Sequence, residues 1–361
     1  MWYEITNIDQ IDSPALAVYP DRIQHNIDLA IQTVGNANRL RPHVKTNKIS
    51  EVCLMMINSG ITKFKCATIA EAEMLATIKA PDVLLAYQPV GPKIARLINL
   101  VKKYPETRFS CLIDNEQSGI EISSACLTED VILDVYLDVN VGMNRTGVSL
   151  TGVTCLAEKT VKLPGLTIRG VHAYDGHIND RDFDVRKQQA DSSYQQSHSV
   201  LQSLQKIIPN QLTLIIGGTP AFSIHAKRSE CECSPGTFVF WDWGYKLMIE
   251  ELPFQYAAVV ISRVISVIDQ HHICIDLGYK AVAAESPLPR LHFLNAPDAI
   301  QASHSEEHLV LKVTNNSTYP IGTILYAIPL HICPTIALYN NVHVIEDKKY
   351  TTNWDVIARK R

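Results

Sequence analysis

Leu40-Arg41-Pro42-His43-Val44-Lys45-Thr46-Asn47-Lys48 reads as a strand that ends in a lysine and then turns toward a helix. Residues two apart on a strand point to the same face. Arg41, His43 and Lys45 therefore share one side, with Leu40 and Val44 on the other. Three basic groups on one side of a buried strand are costly unless something there uses them. Neighbouring cations lower a lysine's pKa, and the neutral amine is the form that attacks a carbonyl. Lys45 is thus a candidate Schiff-base lysine.

Around this stretch, from about residue 14 to 230, short apolar runs alternate with amphipathic segments. The strand candidates are Ala15–Tyr19, Arg39–Lys45, Lys63–Thr68, Val83–Tyr87, Arg108–Ile113, Ile132–Val139, Thr167–Tyr174 and Leu212–Ile216. Most carry β-branched or aromatic residues and stop at Gly, Pro, Asn or Asp. Helical periodicity fills the gaps, as in Asp21–Val34 with Ile23, Ile27 and Ile31, or after the capping Ser50. Strands alternating with helices imply parallel pairing with right-handed crossovers. The expected fold is α/β: a (β/α)8 TIM-type barrel over residues 14–235. A doubly wound open sheet is the rival, and the lack of a GxGxxG fingerprint after the first strand counts against it.

Beyond residue 235 the rhythm changes. Phe254–Ile268, His272–Asp276, Leu291–Leu294, His308–Val313, Thr323–Ala327 and Val342–Val344 are strand-like with short turns. That predicts a second, C-terminal antiparallel β domain over 236–361, joined by residues 1–13.

Composition narrows the functional classes. The chain has 361 residues, 46% hydrophobic and 19% charged, with a net charge of -4. Nothing there invites nucleic acid or an anionic membrane. No apolar run approaches the ~20 residues that span a bilayer. Nine cysteines, an odd count without a secretory leader, point to reduced thiols and a cytoplasmic location. Cys231 and Cys233 read as ordinary thiols.

Barrel enzymes place their chemistry at the C-terminal strand ends. Those ends carry Lys45, the Gly142–Gly147 loop with Arg145, His172-Ala173-Tyr174-Asp175-Gly176-His177, and Gly217-Gly218-Thr219-Pro220. Two glycines and a threonine after a strand suit a phosphate, although Pro220 removes one backbone donor. Arg145 suits an acidic oxygen of a ligand. In His331-Ile332-Cys333-Pro334-Thr335, an extended backbone would turn His331 and Cys333 to the same side, a zinc-compatible pair. A buried cysteine beside a satisfied histidine is the plainer reading.

Taken together, Arg41-Pro42-His43-Val44-Lys45-Thr46, Ala67–Glu73, the Arg145 loop, Ala173–Gly176, Gly217–Thr219, Ser234–Asp242 and His331–Thr335 resemble the fold-type III pyridoxal-phosphate enzymes. Within that group, with its alanine-racemase-like barrel, they are most similar to the D-threonine aldolase and D-serine dehydratase branch. The motifs follow family order almost from end to end. The resemblance implies pyridoxal 5'-phosphate bound to Lys45, Arg145 at its ring oxygen, Tyr174 near the ring, and Gly217, Gly218 and Thr219 at its phosphate. It implies a divalent metal, zinc or else manganese, on His331 and Cys333, and a homodimer. The catalytic candidates are Lys45, His172 and His177; the family's histidine after the tyrosine has Asp180 near its place here, and His177 is the closest histidine. The implied activity is that of a lyase on β-hydroxy D-amino acids, a retro-aldol cleavage to glycine and an aldehyde. The alternative is a zinc-dependent D-serine or 3-hydroxyaspartate dehydratase, toward which Cys333 leans. An amino-acid racemase and a cofactor carrier without turnover are further rivals.

Overall fold

The computed structural model describes all residues, Met1–Arg361. The chain divides into two compact units. One comprises Leu29–Lys45, Cys53–Gly236 and Lys360–Arg361; the other comprises Met1–Asp28, Thr46–Val52 and Thr237–Arg359.

The first unit is built on seven parallel strands in sequence order: Lys63–Cys66, Asp82–Leu85, Arg108–Ile113, Leu133–Asp138, Leu166–His172, Thr213–Ile216 and Cys231–Cys233. Helices follow the strands, among them Ile69–Thr77, Pro92–Lys103, Glu116–Thr128, Val153–Thr160 and Phe183–Gln205. Their starts are written locally. Thr68 caps Glu71 N–H and the Glu71 carboxylate takes Ala67 N–H at 2.6 Å, while Asn115 and Asp182 cap the helices that follow them. Leu84, Leu112 and Tyr136, from three neighbouring strands, pack with Ile215 as a buried layer. Truncating Leu112 there would cost about 2–5 kcal/mol.

The ring closes through the segment that opened the sequence reading. Leu40 bridges Cys233 and His43 bridges Lys65, both in parallel sense. Arg41 N donates to Cys233 O at 2.8 Å, His43 N to Pro235 O at 3.0 Å, Val44 N to Lys65 O at 2.8 Å, and Lys65 N to Pro42 O at 2.9 Å. Pro42 has no N–H, so the segment makes bridges rather than a continuous ladder.

The expectation that Ala15–Tyr19 opens the barrel is corrected. Ala15–Val18 lies in the sheet of the other unit, antiparallel to Ala258–Asp269 and parallel to Asn341–Glu346. All four of its residues are buried, so its sequence carries no alternation to say which sheet it joins. That sheet has nine strands and is antiparallel apart from this one pair. It includes Ile300–His304 and Lys349–Asp355, whose polar composition hid them from the sequence reading. The N-terminal residues Tyr3 and Ile5 pack into its core with Tyr19, Val259, Ile261 and Tyr326 rather than forming a strand. No helix is long and apolar enough to cross a membrane.

Candidate active site

The barrel's two ends differ in charge pairing. At the N-terminal ends of the strands, Arg41 turns away from Lys45. Its Nη1 meets Asp82 Oδ1 at 2.5 Å and its Nε meets Glu232 Oε2 at 2.8 Å. Lys63 completes the pairing of Glu232, and Arg108 that of Asp82. Burial favours the neutral guanidine, but the two carboxylates outweigh it and keep Arg41 charged. Arg41 is therefore a structural cation, not the neighbour that conditions Lys45.

The amine that stands near Lys45 is Lys65, which the sequence reading did not single out. It is 3% exposed, and burial is the chief reason its pKa is brought down to about 7. Lys45 and Arg145 push the same way, against Asp138 and Asp175. A Lys63/Lys65 alternation resembles the wet face of an edge strand; ring closure turns it inward. Lys45 itself is half-buried, its N–H 3.4 Å from His43 Nδ1.

Tyr174 lies across the mouth. The Arg145 guanidinium carbon is 5.0 Å and Lys65 Nζ 5.2 Å from its ring centroid, both in cation–π range. A Cβ on Gly218 would come within 2.9 Å of the Tyr174 ring, so the ring needs a glycine there. Gly217 has φ +84°, and its Cβ would meet His225 at 3.0 Å. Asp175, fully buried, takes Gly218 N–H at 3.2 Å and pairs with His225 Nε2 at 2.6 Å, bracing the turn. Burial opposes ionisation of Asp175, yet His225 and Gly218 hold its carboxyl below the usual range. Thr219 Oγ1 accepts Gly236 N–H at 3.1 Å.

His172 ends its strand beside Asp138, Nδ1 to Oδ1 at 2.7 Å. Thr146 Oγ1 and Gln88 Nε2 donate to the other Asp138 oxygen, each at 2.9 Å. Burial first, then Lys65, lower the imidazole's pKa against the pull of Asp138. The pair is thus a carboxylate and a neutral imidazole, with Nδ1–H donated to Asp138. His172 Nε2 is buried without a hydrogen-bond partner, and so is Ser234 Oγ, whose backbone N–H binds Gly217 O at 2.9 Å. Ser234 opens the Ser234–Asp242 stretch, where sequence alone does not single it out. His177 stays apart from this group: it is exposed and lies against Gly142, where a Cβ would be 2.8 Å from its Nε2.

In the other unit, His331 and Cys333 come together by a different local geometry from the one expected. His331 has extended backbone at the N-cap of a short helix, Ile332–Ile336, and Cys333 is helical. The thiol still lies within hydrogen-bonding reach of the imidazole. His331 Nδ1 is 2.6 Å from Glu285 Oε1. Burial lowers the His331 pKa, but Cys333, Glu285 and Asp242 outweigh it and push it up to about 9. Cys333 Sγ is 3.2 Å from Thr46 Oγ1 and 3.5 Å from Thr237 Oγ1. Asp242, buried and next to Cys333, is pushed up to about 7 while accepting N–H bonds from Tyr245 and Ile332. No group of three or more His, Cys, Asp or Glu side chains could cage a metal alone.

The chain is 26% identical to the D-threonine aldolase of Arthrobacter sp., over 97% of this chain and 93% of that protein. It is 21% identical to the D-threo-3-hydroxyaspartate dehydratase of Delftia sp., over 96% of this chain and 97% of that one. The crystal structure of D-threonine aldolase from Filomicrobium marinum superposes with a TM-score of 0.89 at 24% identity, covering 97% of this chain and 95% of the other, a likeness of fold. The putative serine dehydratase domain matches residues 257–345, and the alanine racemase N-terminal domain matches residues 18–242. With well over half its length matched by that barrel model, the chain belongs to the alanine racemase N-terminal-domain family, the fold-type III pyridoxal-phosphate enzymes.

Proposed function

We propose that this protein is a pyridoxal-phosphate- and metal-dependent lyase that cleaves β-hydroxy D-amino acids to glycine and an aldehyde. The observation that carries the reading is the pair of buried, unpartnered atoms at the barrel mouth, His172 Nε2 and Ser234 Oγ. Unpaired buried polar atoms are costly unless a ligand completes them. The residues present fit the cofactor. Lys45 would hold its aldehyde, Arg145 its ring oxygen, and Gly217, Gly218, Thr219 and Ser234 its phosphate, with Tyr174 near the ring. When bound, the cofactor supplies an electron sink for charge left at the α-carbon.

The protein's own groups do the rest. Asp138 fixes the His172 tautomer, so the Nε2 lone pair is available to accept a proton. Thr146 and Gln88 hold that carboxylate in turn. The tyrosine ring and the buried Asp175–His225 pair keep the glycine turn in shape and water out of it.

His331 and Cys333 fit a divalent ion with open positions. Glu285 on His331 Nδ1 is the partner expected behind a metal-bound histidine. Such an ion would lower the pKa of a substrate hydroxyl. Zinc is the metal proposed, given the thiol–imidazole donors. Asp242 stands close but accepts the N–H groups of Tyr245 and Ile332, and Glu285 is taken up by His331 Nδ1. We place the protein in a cytoplasm, in keeping with nine free cysteines, and as a homodimer, following its resemblance to the family.

Dehydration to a keto acid and ammonia is the second reading, favoured by the cysteine at position 333. Product analysis over a panel of β-hydroxy D-amino acids decides between them. Glycine and aldehyde are expected; ammonia and keto acid would transfer the assignment to the dehydratases. Chelation should abolish either activity.

A further inference from the structure

The mouth of the barrel contains an amine that the proposed chemistry leaves unused. Lys65 sits on the strand Lys63–Cys66, next to the closing segment that ends in Lys45: His43 bridges it, and Val44 N–H binds its carbonyl. Paired residues on neighbouring strands present their side chains to the same face. Lys65 is 3% exposed, and its side-chain amine makes no hydrogen bond or ion pair, only the contact with the Tyr174 ring. Its Nζ stands 5.2 Å from the Tyr174 ring centroid, and His172, Asp138, Asp175, Lys45 and Arg145 are the charged or titratable groups that act on it or feel it. An interior lysine that only stabilised the barrel would be paired, as Arg41 is at the opposite end. A desolvated lysine beside another cationic group is instead the arrangement that makes an amine nucleophilic. Its depressed pKa agrees, leaving a large neutral fraction near pH 7.

We propose that Lys65 is a second carbonyl-capturing amine of the barrel mouth, able to bind the cofactor's aldehyde when Lys45 is not holding it. The inference rests on the pyridoxal-phosphate reading above. In the step itself, the Lys65 Nζ lone pair adds to the aldehyde carbon. The nitrogen gives up its two protons, the aldehyde oxygen departs with them as water, and a C=N bond replaces C=O. Lys65 would thereby keep the cofactor in the site while Lys45 is displaced, and would restore it to Lys45 by exchange of one amine for the other.

The test uses pyridoxal phosphate alone, with borohydride to fix any imine and peptide mapping to find the pyridoxyl group. In the wild type the label is expected on Lys45, with a minor share on Lys65 after brief exposure. In Lys45→Ala the label should move to Lys65 and stay at one per chain, and Lys45→Ala/Lys65→Met should lose it. Lys45→Met provides the same measurement if the alanine variant does not fold. If neither variant folds, the wild-type distribution decides: label on Lys65 supports the proposal and its absence there overturns it. Label on wild-type Lys45 with none on Lys65 in a folded Lys45 variant overturns this inference and leaves the cofactor assignment standing. No label on either lysine of the wild type overturns both.

Discussion

The two ends of the barrel contain similar side chains put to opposite uses. At the N-terminal end, Arg41, Lys63 and Arg108 meet Asp82 and Glu232, and each of these charges has a partner of opposite sign. At the C-terminal end, Lys65 is buried and unpaired, His172 keeps a bare ring nitrogen, and Ser234 keeps an unbonded hydroxyl. Burial is comparable, so burial alone does not mark function. What distinguishes the ends is whether the charged and titratable groups pair with one another or stand without a partner.

Substitutions at each end should therefore separate activity from stability. Lys45→Ala removes the amine proposed to hold the cofactor's aldehyde and should lower kcat by ~10⁴-fold, the upper range for loss of one positioned catalytic side chain, with the melting temperature little changed. A melting point that fell along with activity would blur the contrast. At the opposite end Arg41→Ala takes the buried partner from two carboxylates, leaving them only the more exposed Lys63 and Arg108, and should cost about 3–5 kcal/mol in urea unfolding, while folded molecules keep their kcat. Lost turnover in the folded fraction would show that the two ends are coupled. His172→Asn should reduce kcat by ~10²-fold, the lower range for a general base, and should remove an acid limb from the pH profile. The sign follows from burial and Lys65, which lower the His172 pKa. The wild-type limb should thus lie below the ordinary histidine value of about 6.5, with activity falling as pH drops through it. Glu285→Gln, behind His331, should weaken metal affinity by ~10-fold in a competition titration. The smallest effect belongs to Arg108→Ala. This arginine is 57% exposed at the rim of the paired end, and its loss should cost no more than about 1 kcal/mol.

Much of this was legible in the chain. The Lys45 segment, the glycine turn and the late His331–Cys333 pair mark the candidate site by residue type and order, because each is an uncommon combination of groups. The alternation of apolar runs with helical periods marked the barrel. What sequence could not give was set by non-local pairing. Ala15–Val18 is apolar on both faces and would suit either sheet. Lys65 reads as a solvent-facing position until the ring closes over it. Arg41 and Lys45 share a face in sequence, but only the carboxylates of distant strands show that one serves the fold and the other faces the mouth. The bend at Cys333 eluded the two-residue repeat because Ile332–Ile336 is helical, and contacts from Thr46 and Thr237 position the thiol.

The closing segment around Pro42 has a consequence of its own. A cylinder sealed by bridges instead of a full ladder has a seam, and here the seam runs straight to Lys45. Amide protons of Arg41, His43 and Val44 should exchange with deuterium sooner than those of the central strands, and anchoring a ligand at the seam's end should slow them. Loading the protein would then act as a final stitch, drawing tight the one place where the wall was never fully woven.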